Sequence, residues 1–219
     1  MREAYHDELD SIFENLAGIG RRVETAVGLA TEALLSGDAA LAEQVISGDV
    51  DIDRAREQVE ESAFNLMLLQ QPVAGDLRTV VAALRMVSEL ERMGDLSVHV
   101  AKVARLRVPD LAVPDEIRPT MERMGVVAQD MVARVCDVIA GRDVEAAIAL
   151  GKDDEEMDAL RRKGFTELLS DDWSHGVEAA VDVALLGRYY ERIADHAVSI
   201  ANRVVFVVTG HNPASLAAE

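Results

Sequence analysis

Positive charge, cysteine, aromatic rings and long apolar runs are all scarce in this chain, and each shortage closes off a class of function. Its 22 lysines and arginines stand against 40 aspartates and glutamates, a formal charge of −18. Nucleic-acid binding rests on neutralising phosphates with basic side chains, so this balance argues against it. It argues equally against adhesion to an anionic bilayer surface. Cations and basic protein surfaces are the partners such a chain favours. The single cysteine, Cys136, can form no internal disulfide, in keeping with a reducing cytosol. Within the apolar stretch from Met131 to Ile139 it reads as a small buried hydrophobe. No apolar run approaches the ~20 residues of a membrane-spanning helix; the nearest, Val204 to Val208, is far shorter. The start, Met1-Arg2-Glu3-Ala4-Tyr5-His6-Asp7, is polar and has no signal-peptide core. The expectation is a cytoplasmic protein that does not itself insert into a membrane. Aromatics make up only 4% of a composition that is 49% hydrophobic, so Ala, Val and Leu must build the core, which suits closely packed helices.

What is present is helical periodicity nearly throughout. Leu9, Ile12, Phe13, Leu16, Ile19, Val23, Val27, Ala30 and Leu34 recur every three or four residues and predict a long first helix. Ser36-Gly37-Asp38 reads as a stop and a cap. The second helix carries Leu41, Val45, Ile52, Val59, Phe64 and Leu69 to Gln70-Gln71-Pro72, where proline disfavours helix at the residue before it. A third opens at Gly75-Asp76, with Asp76 as its N-cap. It runs on Leu77, Val80, Val81, Leu84, Val87, Leu90, Val98 and Val103 to about Leu106. Pro109, Pro114 and Pro119 then mark a boundary. The pattern restarts with a helix from Met121 to Ile139, a turn at Gly141-Arg142-Asp143, a helix from Val144 to Leu169, a break at Asp171 to Gly176, and a sixth helix past Val208. The fold class is therefore all-α: two tandem, pseudo-symmetric three-helix bundles, over residues 1–108 and 120–219, joined by a proline-rich linker at 109–119. A helix of about 30 residues is roughly 45 Å long, which makes the bundles elongated.

The duplication repeats a charged phrase. Glu91-Arg92-Met93-Gly94-Asp95 returns as Glu191-Arg192-Ile193-Ala194-Asp195. Each copy sets two carboxylates four residues apart, on one helix face, where like charges mildly destabilise the helix. Oxygen ligands so clustered suit hard cations such as Mg²⁺, Ca²⁺, Mn²⁺ or iron, and Glu91, Asp95, Glu191 and Asp195 are the candidate metal ligands. The bland alternative pairs each acid with a nearby arginine, Arg92, Arg188 or Arg192. His99 continues the Glu91–Asp95 face, as a nitrogen ligand or as an ordinary core or solvated histidine; its counterpart is Ser199. His196 is rotated about 100° from Asp195 and points elsewhere. Asp49 and Asp53, with their copies Asp154 and Asp158, form two further i,i+4 pairs, which face either the Glu–Asp helices or solvent.

Catalysis finds no support. No phosphate-binding loop, dinucleotide fingerprint or nucleophile elbow is present. A carboxylate-bridged di-iron enzyme needs Glu-x-x-His pairs on facing helices, and the sole instance is Glu3-Ala4-Tyr5-His6. A metal-storage or redox protein of helical-bundle type stays as the alternative function, and a purely structural module with solvated acids as a third.

Three segments carry a family resemblance: Gly75-Asp76-Leu77-Arg78, then Leu90 to Asp95, and Tyr190-Glu191-Arg192-Ile193-Ala194-Asp195-His196-Ala197. With them the chain resembles the PhoU family from about Tyr5 to Gly210, and Leu185-Leu186-Gly187-Arg188-Tyr189-Tyr190 looks most like its actinobacterial branch. The resemblance implies two symmetric three-helix bundles, frequent homodimers, and in some members multinuclear metal clusters, with Fe, Mn, Zn, Mg or Ca as candidate ions. It further implies a non-enzymatic negative regulator of phosphate uptake and starvation signalling. Such a regulator links the ATPase subunit of a phosphate ABC transporter to a membrane sensor histidine kinase.

Overall fold

The computed structural model describes residues 2–211, with the backbone alone for residues 2–6, 152 and 153. Six helices account for most of it: α1 (Arg2–Ser36), α2 (Ala39–Gln70), α3 (Gly75–Arg107), α4 (Arg118–Gly141), α5 (Val144–Leu168) and α6 (Gly176–Thr209). No strand occurs among the described residues. The punctuation is local chemistry. Asp38 caps α2 by accepting the Ala40 and Leu41 N–H groups, and Asp143 caps α5 by accepting that of Ala146. Gly37 and Gly210 adopt the left-handed conformation that ends α1 and α6.

Asp76 is not the cap expected of it. The N-cap of α3 is Ala74, without any side-chain cap bond. The turn after Pro72 already satisfies the Asp76 N–H, which donates to the Val73 carbonyl at 3.2 Å. Asp76 therefore falls inside the first helical turn, where its charge complements the helix dipole.

α2 packs against α1 and α3, α5 against α4 and α6, and the bundles join through α1 on α4 and α3 on α6. One continuous core results, drawing on all six helices. Ala112, Val113 and Ile117 of the proline-rich segment are buried in it. The α1–α4 crossing is close because glycines permit it: a Cβ on Gly20 would collide with Cys136, and one on Gly125 with Thr31. These are copies of one contact, since Gly125 and Cys136 stand 105 residues after Gly20 and Thr31. Cys136 is fully buried, donates its thiol to the Val132 carbonyl, and is pushed up to about 12 by that burial. It is packing, as its surroundings suggest.

The expected stripe of α1 is buried from Leu9 to Leu34. Periodicity overreaches elsewhere: Phe64, Leu69, Leu77, Val81 and Leu106 are exposed. In α3 the core-facing positions are Val80, Ala83, Val87 and Leu90, which leaves Leu77 and Val81 on the flank.

Candidate metal centres

Helices α2 and α3 bring Asp49 and Asp53 into one electrostatic field with Glu91 and Asp95. Burial raises the Asp49 carboxyl above the ordinary range, and Asp95 and Asp53 push it further. Burial likewise raises Glu91; Asp95 and Asp53 add to this against the opposing pull of Arg56. The helices meet at Gly94, where a Cβ would stand 3.1 Å from Ile52 Cδ1 and 3.4 Å from Asp49 Oδ1. The second bundle repeats the grouping: burial raises Asp154, and Asp195, Asp158 and Glu191 reinforce it. Of the two orientations open to these acids, Asp49, Asp53 and Asp154 share the field of the Glu–Asp helices, whereas Asp158 is half exposed and pairs with Arg162 on its own helix at 3.8 Å.

The two clusters differ in their counter-charges. Arg161 Nη1 donates to Glu191 Oε1 at 3.0 Å, and Arg188 donates to the other carboxylate oxygen. Glu191, only 7% exposed, is thus neutralised. In the first bundle the counterpart of Arg161 is Arg56, which donates to Glu60 at 3.0 Å instead. The position equivalent to Glu60 is Phe165, over whose ring Arg161 lies at 5.4 Å. The position equivalent to Arg188 is Ser88. Glu91 therefore lacks the direct arginine bonds of Glu191, while Asp49 feels Lys102, whose counterpart in the second bundle is Asn202.

Among the described residues no three His, Cys, Asp or Glu side chains converge tightly enough to hold an ion as they stand. The donors nevertheless suit a hard cation in kind: every candidate but His99 offers carboxylate oxygen. Asp154 Oδ1 is a buried oxygen with no hydrogen-bond partner among the described residues, the kind of group a cation would satisfy.

His99 is exposed; its ring stacks on Tyr189 with centroids 5.3 Å apart, and its field tends to lower Asp49. His196 faces away from the cluster. It is buried, with Nδ1 2.6 Å from Glu89 Oε2, while Arg203 donates to Glu89 Oε1 at 3.1 Å. Sequence reasoning passed over Glu89, which joins α3 of one bundle to α6 of the other. Its only signal is an acid between the core residues Val87 and Leu90. Arg56 and Arg161 were also passed over, although Asp53-Arg54-Ala55-Arg56 and Asp158-Ala159-Leu160-Arg161 repeat at the 105-residue offset. The side chains of Glu3 and His6 lie outside the described residues.

Two equivalent bundles, each bringing acids of its second helix into the field of the Glu–Asp pair on its third, define a duplicated helical-bundle protein with paired acidic regions. The PhoU domain model matches residues 16–104 and again 121–204, and the chain belongs to the PhoU family. It is 47% identical to the phosphate-specific transport system accessory protein PhoU homolog 2 of Mycobacterium tuberculosis, over 97% of this chain and 100% of that protein. It is 46% identical to PhoU homolog 1 of Mycobacterium leprae, over 97% and 96%. Among solved structures, the phosphate transport system regulatory protein PhoU from Streptococcus pneumoniae superposes with a TM-score of 0.83 at 27% identity, covering 95% of this chain and 98% of that one. PhoU from Pseudomonas aeruginosa gives the same TM-score and identity over 94% and 100%.

Proposed function

We propose that this chain lowers phosphate uptake and phosphate-starvation signalling when phosphate is plentiful. It does so without catalysis, as an adaptor between the ATPase subunit of a phosphate ABC transporter and a sensor histidine kinase. The observation that carries this reading is likeness over 97% of the chain to a protein named as an accessory of phosphate-specific transport. Among the described residues no helix is long and apolar enough to cross a membrane; in this reading the chain acts from the cytoplasm and reaches the membrane through its partners. It works as a homodimer.

Each four-carboxylate cluster serves as a metal site: Asp49, Asp53, Glu91 and Asp95 in the first bundle, Asp154, Asp158, Glu191 and Asp195 in the second. Iron, manganese, zinc, magnesium or calcium are the candidate ions. A bound cation would relieve the mutual repulsion of these acids and tie α2 to α3 and α5 to α6, so that occupancy stiffens the bundles.

The test is genetic. Deleting the chain should switch on phosphate-starvation genes in phosphate-replete cells, and restoring it should silence them. Expression that stays low after deletion, in a host without a second copy of the family, would sink the adaptor reading.

A further inference from the structure

The two ends of the α3–α6 pair carry matching apolar residues and different charges. At one end a groove of about 600 Å³ separates the start of α3 from the end of α6. It is lined chiefly by Leu77, Arg78, Val81, Arg85, Arg203 and Phe206, and no acid is among its lining residues, in a chain of charge −18. Arg85 is exposed and makes no hydrogen bond or ion pair among the described residues. Arg78 donates to the Val207 carbonyl at 3.1 Å and lies over the Phe206 ring at 5.6 Å, with no carboxylate partner among the described residues. The Nε groups of Arg78 and Arg203 are buried and unpaired among the described residues, although Arg203 donates to Glu89 through Nη2.

The duplication supplies an internal control. One hundred residues on from Leu77, Arg78, Val81 and Arg85 stand Val177, Glu178, Val181 and Leu185; Arg203 and Phe206 answer to Val103 and Leu106. Val177, Val181, Leu185 and Leu106 are exposed as well. There the last turn of α3 carries Arg107, spent on Asp182 at 2.6 Å and on Glu178, and Arg105, spent on Glu43. The same helix pair thus folds at its other end without arginine at the positions of Arg78, Arg85 and Arg203. Of these, Arg203 already donates to Glu89 at 3.1 Å and Arg78 to the Val207 carbonyl. Arg85 is the one that packing does not use among the described residues.

We infer that the groove between the start of α3 and the end of α6 docks an acidic amphipathic helix of a partner protein. This deepens the adaptor reading and rests on it for the existence of a partner. Leu77, Val81 and Arg85 are spaced four apart and span ~12 Å, which accommodates two to three turns of a docked helix. Its apolar face would cover Leu77, Val81 and Phe206, and its carboxylates would meet Arg78, Arg85 and Arg203. The apolar floor disfavours a free anion, and the charge of −18 repels an anionic bilayer.

The test is site-specific photocrosslinking of the full chain in its host. A Val81→p-benzoylphenylalanine chain is compared with a Val181→p-benzoylphenylalanine chain, and the captured segment is sequenced. The expected adduct forms from position 81 alone, on a helical segment with carboxylates on one face and apolar residues on the other. Arg85→Glu should cut its yield about tenfold and leave the melting temperature unchanged, because Arg85 makes no bond among the described residues. Replacing the captured segment's glutamates with lysines should restore yield with Arg85→Glu. An adduct to a second copy of this chain, to lipid or to a basic segment would overturn the inference. So would no adduct, equal capture at position 181, or indifference to Arg85→Glu. A starvation reporter run in parallel separates the readings. If deletion switches the reporter on while crosslinking fails, the groove is wrong and the adaptor stands; if deletion leaves it off, the adaptor reading fails.

Discussion

Arg161 reaches from α5 to Glu191 on α6 at 3.0 Å, whereas its counterpart Arg56 bonds Glu60 on its own helix and leaves Glu91 free. A cation entering the second cluster must therefore displace two guanidiniums bonded to Glu191, whereas in the first Arg56, Arg92 and Lys102 act on Glu91 and Asp49 through their fields alone. Titration of the metal-free protein with Mn²⁺ should show two unequal sites, the tighter one lost with Asp49→Asn. Arg161→Gln should tighten the weaker site roughly fivefold. Equal sites, or no response to Arg161→Gln, would show that arginine competition does not govern occupancy.

Elemental analysis checks the sites directly. Purified protein should carry stoichiometric iron, manganese, zinc, magnesium or calcium, and an Asp95→Ala/Asp195→Ala chain should lose it. A wild type without metal, whose stability ignores divalent ions, would reduce the eight acids to surface charges. Metal-dependent oxidase activity in the loaded protein would instead favour the storage or redox alternative.

The pH dependence of the metal-free protein has a definite sign. Asp49, Glu91 and Asp154 have folded-state pKa values raised above their unfolded ones, by burial first and by the neighbouring carboxylates second, Asp95 and Asp53 in the first bundle and Asp195, Asp158 and Glu191 in the second. Between about pH 4, the ordinary carboxylate value, and those raised values, the folded state holds more protons than the unfolded. Stability therefore falls as pH rises through that window. Melting should occur at higher temperature near about pH 5 than near about pH 7, and a saturating divalent cation should flatten the difference. Asp49→Asn should stabilise the metal-free chain at neutral pH by about 0.5 kcal/mol. A melting temperature that climbs from pH 5 to 7 without metal would contradict this account.

Glu89 behaves oppositely. Burial alone would raise its carboxyl, but hydrogen bonds from Arg203 and His196 outweigh that and hold it below the ordinary range. Its contribution is complete above the unfolded carboxylate pKa and is lost as pH falls through the lowered folded value. Glu89→Ala leaves buried His196 and Arg203 Nη2 without their partner and should cost about 2 kcal/mol. Because Glu89 joins the bundles, the loss should appear as one cooperative transition moved to lower denaturant. An unmoved midpoint would mean that the bridge adds nothing to bundle association.

The α1–α4 crossing predicts a paired result. Gly20→Val drives methyl groups into Cys136, and Gly125→Val drives them into Thr31. Each should destabilise by about 1–3 kcal/mol, read from chemical denaturation. Gly18→Val, at a glycine with open space around it, should cost less than about 1 kcal/mol despite the same change in helix propensity.

Element by element, the sequence was most legible where the physics is local. The stops at Gly37 and Gln71, the cap at Asp38 and the stripe from Leu9 to Leu34 depend on neighbours within one or two turns, and all are found as expected. Asp76 failed as a cap because an aspartate beside a proline turn looks the same whether it precedes the helix or sits in its first turn. Leu77 and Val81 failed as core residues because three- and four-residue spacing admits neighbouring phases, and only the packed neighbour selects one.

The amino-acid order alone therefore settled the six helices, their duplication, and the placing of each Glu–Asp pair on one helical face. Those follow from backbone hydrogen bonding and side-chain periodicity within a segment. Three relationships awaited the packed chain: Asp49 and Asp53 turned toward Glu91 and Asp95, Arg161 bonded to Glu191 where Arg56 is not bonded to Glu91, and Glu89 held against His196 and Arg203 of the other bundle. Such partners stand some 30 to 115 positions apart in the chain. The register and rotation of one helix against another bring them together, and no local pattern of residues encodes either.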